Sequence, residues 1–169
     1  AVIIATGGFS ANDELLEEYA LGSEVVETSN QMGATGDFIE VFKDHDLKLD
    51  HMDDLSVFKT IITNRRDLTG GADDFILVNK DGERFIDENS GGLDFAHAIL
   101  DQEGEQAYYL YDQKAYESFY RLRKHVNLGY HAQADTLEEL AETLNIDSDN
   151  LIKTVDEYND VIENKEEDP

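Results

Sequence analysis

The chain opens on five apolar residues in a row, Ala1-Val2-Ile3-Ile4-Ala5, three of them β-branched. An unbroken run of this kind predicts a strand buried on both faces, as in the middle of a parallel sheet. Such a strand needs partners on each side, and few follow it, so the run is expected to belong to a larger protein. The alternative is an edge strand of a self-contained domain. A glycine turn, Thr6-Gly7-Gly8-Phe9, comes next, and Ser10 is placed to cap a helix carrying Leu15, Leu16 and Tyr19, with Asp13 completing a weak capping box. A second turn, Gly33-Ala34-Thr35-Gly36-Asp37, leads into a short helix with Phe38, Ile39, Val41 and Phe42 on one face. Strand, glycine turn and helix start form a layout that lets backbone N–H groups approach a phosphate or a flavin edge.

From about Leu47 the pattern mixes α and β. Phe75-Ile76-Leu77-Val78 predicts a strand, Asn79-Lys80-Asp81-Gly82 a turn, and Arg84-Phe85-Ile86 the returning strand of a hairpin. After the loop Asn89-Ser90-Gly91-Gly92, a helix is expected through Phe95, Ala96, Ile99 and Leu100. Tyr108-Tyr109-Leu110-Tyr111 reads as another strand, followed by an aromatic helix with Tyr116, Phe119 and Tyr120. Two helices close the chain. Thr136 caps the first, with Glu139 in a Thr-x-x-Glu box, and Asp147 or Ser148 caps the second, whose stripe is Leu151, Ile152, Val155, Tyr158, Val161 and Ile162.

Composition narrows the function classes. The 169 residues carry 13 Lys and Arg against 39 Asp and Glu, a net charge of −26. Such a surface repels phosphate backbones and anionic lipids, so nucleic acid is not an expected partner. No apolar run reaches the ~20 residues of a spanning helix, so no membrane segment is expected, and the cytoplasm is the default compartment. With no Cys, thiolate nucleophiles, disulfides and zinc–thiolate sites are excluded from this stretch. The five His residues show no metal-binding spacing, and Asp44-x-Asp46-x-Lys48 puts Leu49 where a calcium loop needs glycine, so no metal is expected. No Gly-x-Ser-x-Gly elbow, P-loop or Gly-x-Gly-x-x-Gly fingerprint occurs. Basic residues stand out because they are scarce. Arg65 and Arg66, adjacent between Thr60-Ile61-Ile62-Thr63 and Thr69-Gly70-Gly71, are candidates to clamp an anionic substrate; the competing reading pairs them with local carboxylates such as Asp67. Arg84 is expected to form a structural ion pair with Asp87 or Glu88.

Several segments, in order and nearly end to end, resemble the flavoprotein subunit of the fumarate reductase and succinate dehydrogenase family, especially its soluble flavocytochrome-type members. They are Val2-Ile3-Ile4-Ala5-Thr6-Gly7-Gly8-Phe9, Gly33-Ala34-Thr35-Gly36-Asp37, the stretch from Ile76 to Glu88, Ala98-Ile99-Leu100, Ala107 to Gln113, Ala134 to Ala141, and Leu151 to Asn159. The resemblance implies an α+β fold: residues 1–51 as the C-terminal part of a first FAD-binding segment, and 52–169 as the capping domain that closes over flavin and substrate. It implies FAD as cofactor, with Thr6, Gly7, Gly8, Thr35, Gly36 and Asp37 against it. The implied reaction is hydride transfer from reduced flavin to an activated C=C bond, with a cap arginine protonating the other carbon. The implied partners are a small carboxylate-bearing enoate and the remainder of the FAD-binding domain. Because the family's glycine-rich ADP-binding turn lies outside this sequence, the chain alone is expected not to retain FAD and to be inactive by itself.

The departures fall at the family's site motifs. Its Gln-x-His-Pro-Thr stretch maps onto Ser56-Val57-Phe58-Lys59-Thr60, keeping Thr60 but placing Phe58 at the His. Its Thr-Glu-x-x-Arg-Gly relay maps onto Thr63 to Leu68, keeping Thr63 but placing Asn64 at the acid and an arginine a residue or two early. The proton-donating arginine's place falls on Gly92. Thr60 and Thr63 are the expected substrate contacts, with Arg65 or Arg66 as substitute anion binders. Two alternatives stand beside a fumarate-type substrate. One is the same flavin chemistry on another enoate, such as urocanate, or on a ketosteroid, toward which Phe58 tilts. The other is an acidic, non-catalytic interaction domain.

Overall fold

Apolar residues spaced three and four apart recur along the chain, and helices accordingly carry most of the regular structure among the described residues. The computed structural model describes residues 3–20, 22, 27–58, 60–62, 65, 67–68 and 75–164. It divides into two compact units, Ala1–Phe58 and Lys59–Pro169. In the first, α1 (Asp13–Tyr19) and α2 (Asp37–Asp44) are the regular elements among the described residues. In the second, β1 (Ile61–Ile62) pairs antiparallel with β2 (Asp67–Leu68), and β3 (Ile76–Val78) with β4 (Tyr108–Leu110). Around them lie α3 (Gly92–Leu100), α4 (Gln113–Ser118), α5 (Tyr120–Asn127), α6 (Leu137–Leu144) and α7 (Ser148–Asn164). The fold is mixed α and β with small two-stranded sheets.

Strand alternation sorts the side chains of β4 between two clusters. Tyr108 and Leu110 pack with Ile76, Val78, Ala141, Ile146 and Leu151, while Tyr109 and Tyr111 pack with Ala115 and Leu122. The helix starts of the tail follow the sequence. Thr136 accepts the Glu139 N–H at 3.2 Å, the Glu139 carboxylate accepts the Asp135 N–H at 3.3 Å, and Asp147 accepts the Asn150 N–H at 2.9 Å. Gly82, at φ +78°, seats the turn after β3 on the first turn of α7. A Cβ there would lie 2.7 Å from both the Asp147 carbonyl and the Leu151 nitrogen.

Four sequence expectations change. The opening run is no strand among the described residues: Ile3 is 91% exposed and Ile4 is exposed too, because no described strand lies beside them. Ala1 and Val2 are outside the described residues. The cap of α1 is Asn12, not Ser10; Asn12 accepts the Leu15 N–H at 3.1 Å, while Ser10 accepts the Thr28 hydroxyl. The Arg84–Ile86 strand is reduced to a single bridge between Val78 and Arg84. The Asn79 N–H still donates to the Glu83 carbonyl at 2.9 Å, but the next N–H toward the start of β3, that of Leu77, is taken at 2.8 Å by the Glu88 carboxylate instead of a returning strand. Arg84 holds that carboxylate through its Nε and through Nη2 at 2.6 Å, and stacks 5.2 Å from the Tyr158 ring centroid, as the expected ion pair requires. Finally, the aromatic helix breaks at Phe119. Its extended backbone ends α4 and starts α5, turning the ring onto Ala115 and Leu122.

Candidate functional site

The first unit brings its two glycine turns together. The Ala11 N–H donates to the Ala34 carbonyl at 2.9 Å, and the Asn12 side-chain amide to the Thr35 carbonyl at 2.9 Å. Asn12 thereby caps α1 and ties it to the second turn with one side chain. Gly36, at φ +73°, is the contact point: a Cβ there would sit 2.6 Å from Leu15 Cδ1 and 2.7 Å from Phe9 Cβ. Gly36 therefore faces inward and serves packing. Thr35 donates its hydroxyl to Asp37 Oδ1 at 2.6 Å at the start of α2. Gly7 and Gly8 differ from Gly36. Both are exposed, Gly7 has φ +91°, and nothing lies within 4 Å of where either side chain would be. A bare backbone edge of this kind suits a flat ring or an anion approaching the chain. The open backbone at Gly7 and Gly8 leaves room for such a group, and the turn Thr35-Gly36-Asp37 packs behind it against Phe9 and Leu15.

The second unit gathers a set of side chains that periodicity does not reveal. Arg65 sits on the turn joining β1 and β2, where its N–H donates to the Ile62 carbonyl at 3.0 Å, and its guanidinium lies 5.2 Å from the Tyr130 ring centroid. Tyr130 is fixed by the end of α5. Its N–H donates to the His125 carbonyl and the Gly129 N–H to the Val126 carbonyl, both at 2.9 Å, with Gly129 at φ +70°. This is a Schellman end, and the tilted contact of Tyr130 with His125 (centroids 5.9 Å apart) supplies its usual side-chain contact. Asp67 of β2 is held by Lys124 Nζ at 2.6 Å, not by Arg65. That hydrogen bond, outweighing burial, holds the Asp67 carboxyl below the usual carboxylate range.

His125 is fully buried. Its Nε2 lies 3.3 Å from Asp67 Oδ2, within ion-pair range but off hydrogen-bond geometry, so neither ring nitrogen has a hydrogen bond among the described residues. His131 lies edge-on to it, with centroids 5.3 Å apart. Burial, and then the neighbouring His125, lower the His131 pKa, while burial pushes Tyr111 up to about 12. The Tyr111 phenol therefore stays protonated, and its oxygen lies within hydrogen-bond reach of His131 Nδ1 at 2.6 Å.

Of the residues singled out in the sequence, Thr60 is half-buried next to β1 and Gly92 begins α3. Arg66 and Thr63 lie outside the described residues. Arg65 is exposed at its turn. Pairing Arg65 with Asp67, the competing reading, is not what the structure holds. Sequence reasoning missed Asp67, Lys124, His125 and Tyr130 as a group. The available signal was Gly129, a helix-ending glycine whose next residue has a set direction. Among the described residues, no three His, Asp or Glu side chains are arranged to hold a metal ion, and no helix is long and apolar enough to cross a membrane.

A family model described as an FAD binding domain matches residues 1–169. The chain is 33% identical over 168 residues to the fumarate reductase (cytochrome) of Shewanella frigidimarina, an alignment covering 96% of this chain and 29% of that protein. Its structure matches the open conformation of a flavocytochrome c3 fumarate reductase with a TM-score of 0.80 at 30% identity, covering 98% of this chain and 30% of that one. A 3-ketosteroid delta1-dehydrogenase from Sterolibacterium denitrificans, in complex with 1,4-androstadiene-3,17-dione, matches with a TM-score of 0.59 at 22% identity. It covers 92% of this chain and 32% of that one, a likeness of fold alone. The chain spans less than a third of the length of these relatives. It belongs to the FAD-binding family of fumarate reductase-type flavoproteins.

Proposed function

We propose that the chain forms part of a flavin-dependent reductase acting on the activated C=C bond of a carboxylate-bearing enoate. In this reading residues 52–169 are the capping domain and 1–51 contribute an edge of the flavin site. FAD, when bound, supplies the reducing equivalents. Thr6, Gly7 and Gly8 offer it a bare backbone edge, and the turn Thr35-Gly36-Asp37 holds that edge in place through Phe9 and Asn12. Thr60 and Thr63 contact the substrate, and Arg65, with Arg66 beside it, binds a substrate carboxylate. The observation that carries the proposal is the exposed Arg65 guanidinium, supported on an aromatic ring in a chain of net charge −26. A carboxylate would otherwise be repelled from such a surface.

The chain alone, lacking a Gly-x-Gly-x-x-Gly turn, is expected to leave purification without bound flavin. Stoichiometric yellow absorbance after desalting would contradict this. The substrate class is tested in a full-length flavoprotein that includes this chain, chemically reduced and then mixed with fumarate, urocanate or a ketosteroid. Reoxidation by an enoate with no response to the steroid is the expected outcome, and the reverse overturns the proposal. The steroid reading keeps one specific support: Phe58, standing where the family has His, is 63% exposed and offers an apolar contact.

A further inference from the structure

Arg65 and Asp67 stand two residues apart in one tight hairpin, and left to themselves an arginine and an aspartate at that spacing would pair. Here they do not. Lys124, from α5, occupies Asp67 Oδ2 at 2.6 Å, and the described partner of the Arg65 guanidinium is the Tyr130 ring at 5.2 Å. Both restraints come from one rigid piece of chain. Lys124 and His125 are adjacent on α5, and Tyr130 is locked to the His125 carbonyl by the Schellman end at Gly129. Fully buried His125 forms the floor, with its Nε2 3.3 Å from the same Asp67 oxygen and its ring against Tyr130. Arg121, one turn earlier, ties the same hairpin to α5 by donating from Nη1 to the Leu68 carbonyl at 3.4 Å. An arginine with its face on an aromatic ring keeps its N–H edge free for a planar anion, while one paired to a carboxylate has already spent that edge.

We propose that Lys124 and Tyr130 are positioning residues that keep Arg65 available to a substrate carboxylate, Lys124 by occupying Asp67 and Tyr130 by supporting the guanidinium face. The inference rests on Arg65 as the anion contact, as proposed above. It adds a specificity device: the positive charge offered to the anion depends on a second cation that touches no substrate. Removing Lys124 deletes one positive charge and also hands Arg65 to Asp67, so its effect on anion binding exceeds that of deleting an ordinary surface lysine.

The test uses a full-length flavoprotein that includes this chain, with sodium succinate as probe, titrated while the arginine Nε–H resonances are followed by NMR. In the wild type the Arg65 Nε–H is displaced by the Tyr130 ring and moves further on succinate addition. Tyr130→Leu removes the ring displacement and weakens succinate binding about threefold to tenfold, the range of an exposed to partly desolvated cation–π contact. Tyr130→Phe preserves both. Lys124→Met weakens binding at least as much, with Lys124→Arg restoring it, and neither changes the melting temperature enough to account for the loss. Succinate affinity unchanged in Tyr130→Leu or in Lys124→Met overturns the positioning roles. Arg65→Gln separates the two claims. If it binds succinate like the wild type, or if the wild type does not bind, the Arg65 contact itself falls. The positioning claim is then judged on the Nε–H displacement alone, and its persistence in Tyr130→Leu refutes it.

Discussion

The two units are stabilised by different means. The second has its own apolar core, Ile76, Val78, Ala141, Ile146 and Leu151, and a nearly buried ion pair that also takes up a strand N–H. The first buries Leu15, Leu16, Ala20, Ala34 and Ile39, yet among the described residues it holds eight of the eleven exposed large hydrophobic side chains, among them Ile3, Met32, Phe38 and Phe58. The second unit can therefore be perturbed at single points with large, local consequences, whereas the first is joined by hydrogen bonds between turns and has less packing to lose.

Arg84 gives the sharpest test of that contrast. Its guanidinium and the Glu88 carboxylate are both nearly buried, so Arg84→Met takes a close counter-charge away from a carboxylate that still accepts the Leu77 N–H. The expected cost is roughly 3–5 kcal/mol in urea unfolding of the second unit. Amide exchange at Leu15, Leu16 and Ile39 should stay at its wild-type rate. A loss below about 1 kcal/mol, or equal acceleration at those three amides, would show that this ion pair does not stabilise the second unit by itself.

Matched glycines come next. Gly82 and Gly36 both have φ above +70°, but their neighbours differ in kind. At Gly82 the obstacles are backbone atoms of α7. At Gly36 two of the three are the ends of the flexible Leu15 and Ile39 side chains. Gly82→Ala is expected to cost about 3 kcal/mol or more and Gly36→Ala about 1–2 kcal/mol, the strain of the backbone angle being common to both. Equal losses by calorimetry would mean that backbone strain, not the identity of the obstructing atom, sets the cost.

How legible each region was in the sequence follows the same division. Elements whose partners are close in the chain were readable: the Thr136–Glu139 cap, the Leu151–Val155–Tyr158 stripe, and Arg84 with Glu88 four residues on. Both glycine turns of the first unit were visible too, but not that Asn12 would join them, since that bond spans 23 residues. The opening apolar run was legible as a segment that prefers burial, but the sequence could not supply the strands it would pair with, and Ile3 and Ile4 are exposed here. The cluster around Arg65 was least visible. Lys124 reaches Asp67 across 57 positions, and nothing periodic connects a hairpin turn to a helix end. The competing pairing, Arg65 with its near neighbour Asp67, was the natural local inference, and it failed because a distant cation took the carboxylate first.

The smallest expected effect concerns pH and belongs to the second unit alone. Burial and the nearby His125 lower the His131 pKa in the folded chain, so the unfolded chain, near 6.5, binds the proton more readily. The stability that neutral His131 contributes is complete above that unfolded value and is lost as the pH falls through it toward the folded one. A protonated Nδ1 can only donate across the 2.6 Å contact with the Tyr111 oxygen. Asp67 behaves in the same direction but in a lower window. Lys124 depresses its pKa, so its contribution persists until the usual carboxylate range, at about pH 4, and is lost below it. Between pH 8 and 5 the melting temperature of the second unit should therefore decline by a step that His131→Gln removes and Asp67→Asn does not. Parallel melting curves for the wild type and His131→Gln across that range would show that the Tyr111–His131 contact carries no proton-linked stability.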